Sequence, residues 1–262
     1  MRSDDVPESL VLQAALLRRL PGVVHGFTTR RGGVSPAPRD SLHLALRDDD
    51  DADAIVENWR RAARALGGGA GDVVLLDQVH GNVVVEVSEP TGPLRTAAAA
   101  DAALTCEPGV LLAVRTADCV PVLLAGPGVV AAAHAGWRGV VQDIVGRTVQ
   151  AMVARTGCAP EAIVAAVGPH ASVENYETGP EVVDALVQAG LVRERVSRMG
   201  PRGREHADLR AAVVDQLEAA GVREVDHVCN CTIGDPDFFS HRRDGAATGR
   251  QASIIGLVAE CR

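Results

Sequence analysis

The sequence predicts an α+β fold, a mixed β-sheet with helical cover, in a single domain spanning residues 1–262. Two observations carry this expectation. Apolar runs at 111–115, 120–125 and 129–133 are short and separated by turn signals, the pattern of strands buried on both faces. Elsewhere, strand-like runs alternate with stretches of helical spacing, so hairpins and βα units coexist and a strictly doubly wound parallel sheet is disfavoured. A chain of 262 residues is long enough to bury a core; with 47% apolar but only 2% aromatic residues, Val, Leu and Ala must fill it.

Taken in order, residues 53–66 read as a helix, with acids early and a glycine run as its stop. Residues 73–76 and 83–87 read as strands flanking a turn at His80-Gly81-Asn82, and the three apolar runs follow. Residues 139–155 have helical spacing, with Val141, Ile144, Val145, Thr148 and Met152 on one face. A strand at 163–167 ends at Gly168-Pro169, helices are expected at 180–188 and 208–220, and late strands at 225–228 and 253–258. Residues 29–40, 66–71 and 88–95 are rich in turn formers and read as loops.

Composition excludes several functions. The chain has no lysine, so all 26 basic residues are arginine. Schiff-base chemistry, Walker-A phosphate loops and lysine general bases are therefore ruled out. Net charge is −8 with no basic stripe, which argues against nucleic-acid binding. Asp4, Asp5 and Glu8 precede the apolar stretch 10–17, and Arg18-Arg19 follow it, the reverse of a secretory signal. The longest apolar run, 120–133, is broken by Gly126-Pro127-Gly128 and is too short to span a bilayer. A cytoplasmic protein without membrane partners is expected. Its six cysteines contain no C-x-x-C pair and read as free thiols.

No H-E-x-x-H, G-x-S-x-G or G-x-G-x-x-G occurs. Chemistry is instead concentrated in polar residues at strand ends: 77–81, 116–121, 134–139 and 238–245. His80, Cys119 and His134 offer the imidazole and thiolate ligands that zinc prefers, and they leave a fourth position open, as a catalytic site requires. Copper competes for the same donors. Asp101, Asp118 and Gln78 are placed to orient ligands or move protons. Arg138 opens the predicted helix at 139–155, where the helix dipole favours an anion such as phosphate. Arg30, Arg242, Arg243 and Arg250 lie in loops with glycine and are further phosphate or substrate candidates. Trp137 could stack on a flat base. Read alone, residues of these types more often serve as core, capping or surface groups, and spacing does not show that His80, Cys119 and His134 meet. Cys119 also reads as a nucleophile with a histidine base.

These motifs together resemble one family. They are Thr28-Thr29-Arg30-Arg31-Gly32-Gly33-Val34-Ser35, Gln78-Val79-His80-Gly81, Asp101-Ala102, Thr116-Ala117-Asp118-Cys119-Val120-Pro121 and His134-Ala135-Gly136-Trp137-Arg138-Gly139. Gly168-Pro169, Cys231-Thr232, Phe239-Ser240-His241-Arg242-Arg243 and Thr248-Gly249-Arg250 complete the set. The chain is similar over nearly its whole length to the YfiH-like, laccase-domain proteins, long labelled polyphenol oxidases and now described as purine nucleoside phosphorylases. The resemblance implies mixed sheets packed face to face and flanked by helices, and zinc held by His80, Cys119 and His134. Catalytic work falls to His80, Asp118, Cys119 and Arg138, with substrate and phosphate contacts at Arg30, Gln78, Asp101, Arg242, Arg243 and Arg250. The implied reaction is phosphorolysis of adenosine, inosine, guanosine and methylthioadenosine, with associated deamination of adenosine. Amide hydrolysis that corrects mis-aminoacylated cell-wall precursors is the alternative. Copper oxidation ranks third, because none of the eight histidines forms the His-x-His pairs of multicopper oxidases. The chain departs from the family pattern at residues 170–173, at His241, and at Ser41 and His43, positions expected to line the pocket.

Overall fold

The computed structural model describes residues 10–45 and 51–258. Asp4, Asp5, Glu8 and Cys261 lie outside these residues. Strands β1 (Val11–Leu12) and β2 (Val23–Thr28) come first. Helix α1 (Ala52–Arg64) follows, capped by the Asp51 carboxylate, which accepts from the Asp53 amide. Next are β3 (Val73–Asp77), β4 (Val84–Glu86), β5 (Thr96–Ala99) and β6 (Ala102–Thr105). The three apolar runs form β7 (Leu111–Thr116), β8 (Val120–Gly126) and β9 (Val129–Ala135). Helices α2 (Trp137–Val141) and α3 (Ile144–Thr156) lead to β10 (Val164–Val167) and α4 (Pro180–Gln188). A short α5 (Arg193–Val196) precedes the hairpin of β11 (Ser197–Met199) and β12 (Glu205–Ala207). The described chain closes with α6 (Leu209–Ala219), β13 (Glu224–His227), α7 (His241–Asp244) and β14 (Gln251–Leu257).

Two six-stranded sheets carry the fold, in the orders β1-β2-β14-β7-β3-β5 and β13-β10-β8-β9-β6-β4. Both are mixed. β14 pairs antiparallel with β2 and β7, whereas β3 pairs parallel with β7 and β5. The sheets pack face to face through Phe27, Leu76, Leu112, Val114 and Ile255 of the first and Leu123, Val130, Ala132 and Ala166 of the second. The outer face of the first sheet rests on α1 through Trp59, Leu75, Ala113 and Ile254. The outer face of the second is covered by α3, α4 and α6, with Val145, Met152, Leu186 and Leu217 against Val122 and Leu124. Each central strand thus has an apolar neighbour on both faces, which is why β7 to β9 read as unbroken apolar runs.

Two expectations change. The helix expected over 139–155 is split, because Asp143 adopts a left-handed conformation (φ 57°) and its side chain caps α3 by accepting from the Gly146 amide. Strands β2, β5 and β6 were not anticipated. In β2, His25, Gly26 and Thr28 interrupt the apolar pattern although all are buried.

His25 is 1% exposed; its Nε2 accepts from the Ala14 amide at 2.9 Å, and its ring meets Phe27 edge-on. Burial pushes its pKa down to about 4. Between the unfolded value of 6.5 and about 4, the unfolded chain therefore binds a proton that the native chain refuses. The stability contribution is intact above the unfolded value and is lost as pH falls toward 4. His25→Gln is expected to flatten the decline of the urea midpoint across this window. Parallel declines in the two proteins would contradict the assignment.

Candidate functional site

Three ligand-type side chains converge where the two sheets meet at one end. His80 lies on the turn after β3, Cys119 at the start of β8, and His134 near the end of β9. Their donor atoms lie within 4.8 Å of one another. The Cys119 Sγ to His80 Nε2 distance is 3.9 Å, close to the ~3.5 Å that a tetrahedral zinc with normal bond lengths would impose. The two imidazoles meet edge to face at 4.8 Å between centroids. His134 is buried, Cys119 half-buried and His80 exposed, so the group opens outward on one side. Gly136 keeps this space clear. A Cβ there would stand 2.8 Å from His80 Cδ2 and 3.1 Å from Cys119 Sγ. Two imidazoles and a thiolate with an open side suit a metal ion such as zinc or copper.

Asp101, fully buried between β5 and β6, holds the arrangement together. Its carboxylate accepts from the backbone amides of Val79, His80 and Gly81 at 3.2, 3.0 and 2.6 Å. It also accepts from His134 Nδ1 at 2.8 Å, which turns Nε2 toward the other ligands. These bonds allow His80 its left-handed backbone (φ 61°). Burial alone would push the Asp101 carboxyl up, but bonds from His134, Gly81 and His80 outweigh it and hold the group below its usual range. Burial likewise opposes ionisation of Cys119, yet His134 and His80 lower its pKa to about 6. In His134, burial is overcome by Cys119 and Asp101, and the imidazole is favoured in its charged form. A bound cation would take the place of that proton.

The ligands form part of the wall of a cavity of about 490 Å³, within the ~300–1,000 Å³ range of small-molecule sites. Arg115, Arg138, Arg242 and Arg250 line it, together with Trp137, Tyr176, His241 and Asp118. Arg138 is exposed, and its guanidinium stacks on Trp137 at 4.3 Å. Among the described residues the guanidinium has no hydrogen-bond partner; the Arg138 carbonyl accepts from Gln142 Nε2 at 3.0 Å. Arg242 lies 4.9 Å over Tyr176 and donates to the Glu177 carbonyl. Arg250 donates to the carbonyls of Thr248 and Gly249. Asp118 has an unusual φ of 100°; its carboxylate accepts from the Thr232 hydroxyl at 2.7 Å and the Arg242 amide at 2.6 Å. It thereby anchors α7 beside the metal ligands.

The remaining residues singled out in the sequence are engaged in structural contacts. Gln78 reaches the cavity, but its amide exchanges two bonds with the Arg115 backbone. Asp101 sits behind the ligands. Arg243 is used up by the carbonyls of Thr232, Ile233, Asp235 and Phe238 and by Asp244. Arg30 stacks on Phe239 and pairs with Asp40 beside a separate pocket. Of the positions that depart from the family pattern, His241 alone lines the main cavity. The helix that carries Arg138 has five residues, too few for a substantial dipole, so an anion there would depend on the guanidinium rather than on the helix N-terminus expected from sequence. Tyr176 and Arg115 line the cavity without having been anticipated, and Thr116 lines it as the first residue of the motif 116–121. Tyr176 is the chain's sole tyrosine, a signal that was available; burial pushes its pKa up to about 12, so its hydroxyl stays protonated.

Residues 24–258 match the family model described as multi-copper polyphenol oxidoreductase laccase. The chain belongs to this laccase-like YfiH family. It is 46% identical over 240 residues to a purine nucleoside phosphorylase of Deinococcus radiodurans, covering 90% of this chain and 89% of that one. Among solved structures, YlmD from Geobacillus stearothermophilus superposes with a TM-score of 0.88 at 35% identity, over 96% of this chain and 100% of that one. The hypothetical protein YfiH from Bacillus licheniformis gives 0.89 at 30% identity, over 97% and 98%.

Asp101→Asn replaces an acceptor of four hydrogen bonds with a group that must point an NH2 at amide donors. It is expected to weaken metal binding by about 10- to 100-fold in a competitive chelator titration. Unchanged affinity would show that Asp101 does not orient the ligands.

Proposed function

We propose that this protein is a zinc-dependent purine nucleoside phosphorylase, acting as one catalytic domain on adenosine, inosine, guanosine and methylthioadenosine. The observation that carries the reading is the convergence of His80, Cys119 and His134 on the wall of an arginine-lined cavity of about 490 Å³. The name of the Deinococcus relative supports it. The product pair is free base and sugar 1-phosphate. A phosphate oxygen attacks C1′ as the bond to the base breaks, and the electron pair leaves with the base.

Arg138 and Arg242 present cationic groups for phosphate oxygens, with Trp137 and Tyr176 beneath them as flat surfaces. Asp118 positions Arg242 through its backbone. Zinc held by His80, Cys119 and His134 would supply Lewis acidity at the cavity wall. The associated deamination of adenosine is assigned to the same cavity. The enzyme is assigned to the cytoplasm; its five described cysteines are free thiols, which suits a reducing compartment.

A second reading, amide hydrolysis of mis-aminoacylated cell-wall precursors, draws on one observation: Cys119 lies beside two imidazoles that lower its thiol pKa to about 6, as a cysteine nucleophile requires.

Zinc-loaded protein incubated with adenosine is expected to release adenine only when phosphate is present, with inosine appearing without it. Adenine formation independent of phosphate, or no nucleoside turnover alongside cleavage of an amide precursor, would overturn the phosphorylase reading. Cys119→Ser is expected to lose zinc and activity with the fold retained by circular dichroism. Arg138→Ala is expected to raise KM for phosphate about tenfold or more and leave KM for nucleoside within about twofold. Equal effects on both would make Arg138 structural.

A further inference from the structure

Thr116 is the last residue of β7, two positions before Asp118. In that strand Leu111 and Ala113 face α1, and Leu112 and Val114 face the second sheet. Alternation puts Thr116 in the second row, directed toward the sheet that carries Cys119 and His134. Its backbone pairs with Gln251 of β14, so the strand end is fixed. The side chain is 2% exposed and the residue lines the cavity. Its hydroxyl has no hydrogen-bond partner among the described residues.

A buried orphan hydroxyl is costly, and Val would fill the same volume in a strand with better propensity and no polar atom. Thr at this position therefore points to a polar partner that arrives with the ligand. The cationic groups of the cavity suit phosphate oxygens. A neutral hydroxyl that both donates and accepts is matched to another alcohol.

We propose that Thr116 is a specificity-determining residue that reads the substrate's sugar, exchanging a hydrogen bond with a ribose hydroxyl. This rests on the nucleoside reading above. It makes the site selective for ribonucleosides over their 2′- or 3′-deoxy analogues. A site built to hydrogen-bond a substrate hydroxyl rejects the analogue that lacks it, because its own buried group is then left unpaired.

The test compares the metal-replete full chain with Thr116→Val and Thr116→Ser, using adenosine, 2′-deoxyadenosine and 3′-deoxyadenosine at saturating phosphate. Thr116→Val is expected to raise KM for adenosine by about three- to tenfold. KM for the deoxy analogue that lacks the hydroxyl read by Thr116 should stay within about twofold, as should KM for phosphate. Melting temperature should rise by a few degrees in Thr116→Val, since the orphan hydroxyl is gone, and Thr116→Ser should restore sugar discrimination. Equal KM changes for all three sugars, a change confined to phosphate, or no change at all would overturn the assignment. A wild-type protein active on nucleosides with Thr116→Val indistinguishable from it sinks this inference alone. A wild-type protein that consumes no nucleoside sinks the functional reading and this inference with it.

Discussion

The candidate metal centre depends on one buried carboxylate. Asp101 lies where the chain passes from the first sheet to the second, and it bonds to elements of both. Through the amides of Val79, His80 and Gly81 it fixes the turn that leaves β3; through His134 it fixes an imidazole on β9. Its own carbonyl also accepts from the His134 amide at 2.7 Å. Without such a hub, His80 would sit on an exposed loop with nothing to set its distance from the other two ligands. The cost of burying the charge is offset by the four hydrogen bonds that its carboxylate accepts.

The absence of lysine gives arginine two different tasks. Arg243 satisfies four backbone carbonyls and a carboxylate, holding the segment 232–244 in shape. The Arg138 guanidinium stacks on Trp137 but has no hydrogen-bond partner among the described residues, and it remains exposed on the cavity wall. The planar guanidinium, with five donors in a fixed fork, serves both uses. Sequence context does not separate them, since Arg30, Arg242, Arg243 and Arg250 all lie near glycines in loops.

What was legible in the sequence follows the same physics. β7 to β9 were readable because both faces of the central strands are buried, so apolar residues run without interruption. β5 and β6 were not, since the alanines around Asp101 carry neither a period of two nor β-branched side chains. The break at Asp143 was hidden because a capping aspartate inside an apolar helical pattern looks like one more exposed polar residue. Residue chemistry and motif resemblance together identified His80, Cys119 and His134; spacing of 39 and 15 residues between them could not. Thr116 stands inside the motif 116–121, but its residue type alone does not show that its hydroxyl faces the cavity. Tyr176 escaped notice because it reaches the cavity through the return of a remote segment over one end of the sheets, which local pattern does not encode.

Two imidazoles and a thiolate, drawn from three separate strand ends, are arranged to hold one metal ion with an open side. Cobalt titration of the metal-free protein tests this most directly, because cobalt reports ligand type and coordination number in its absorption spectrum. Saturation is expected at one ion per chain, with an intense sulfur-to-metal charge-transfer band and tetrahedral ligand-field bands. A weak octahedral spectrum without the thiolate band, or binding that does not saturate, would contradict it.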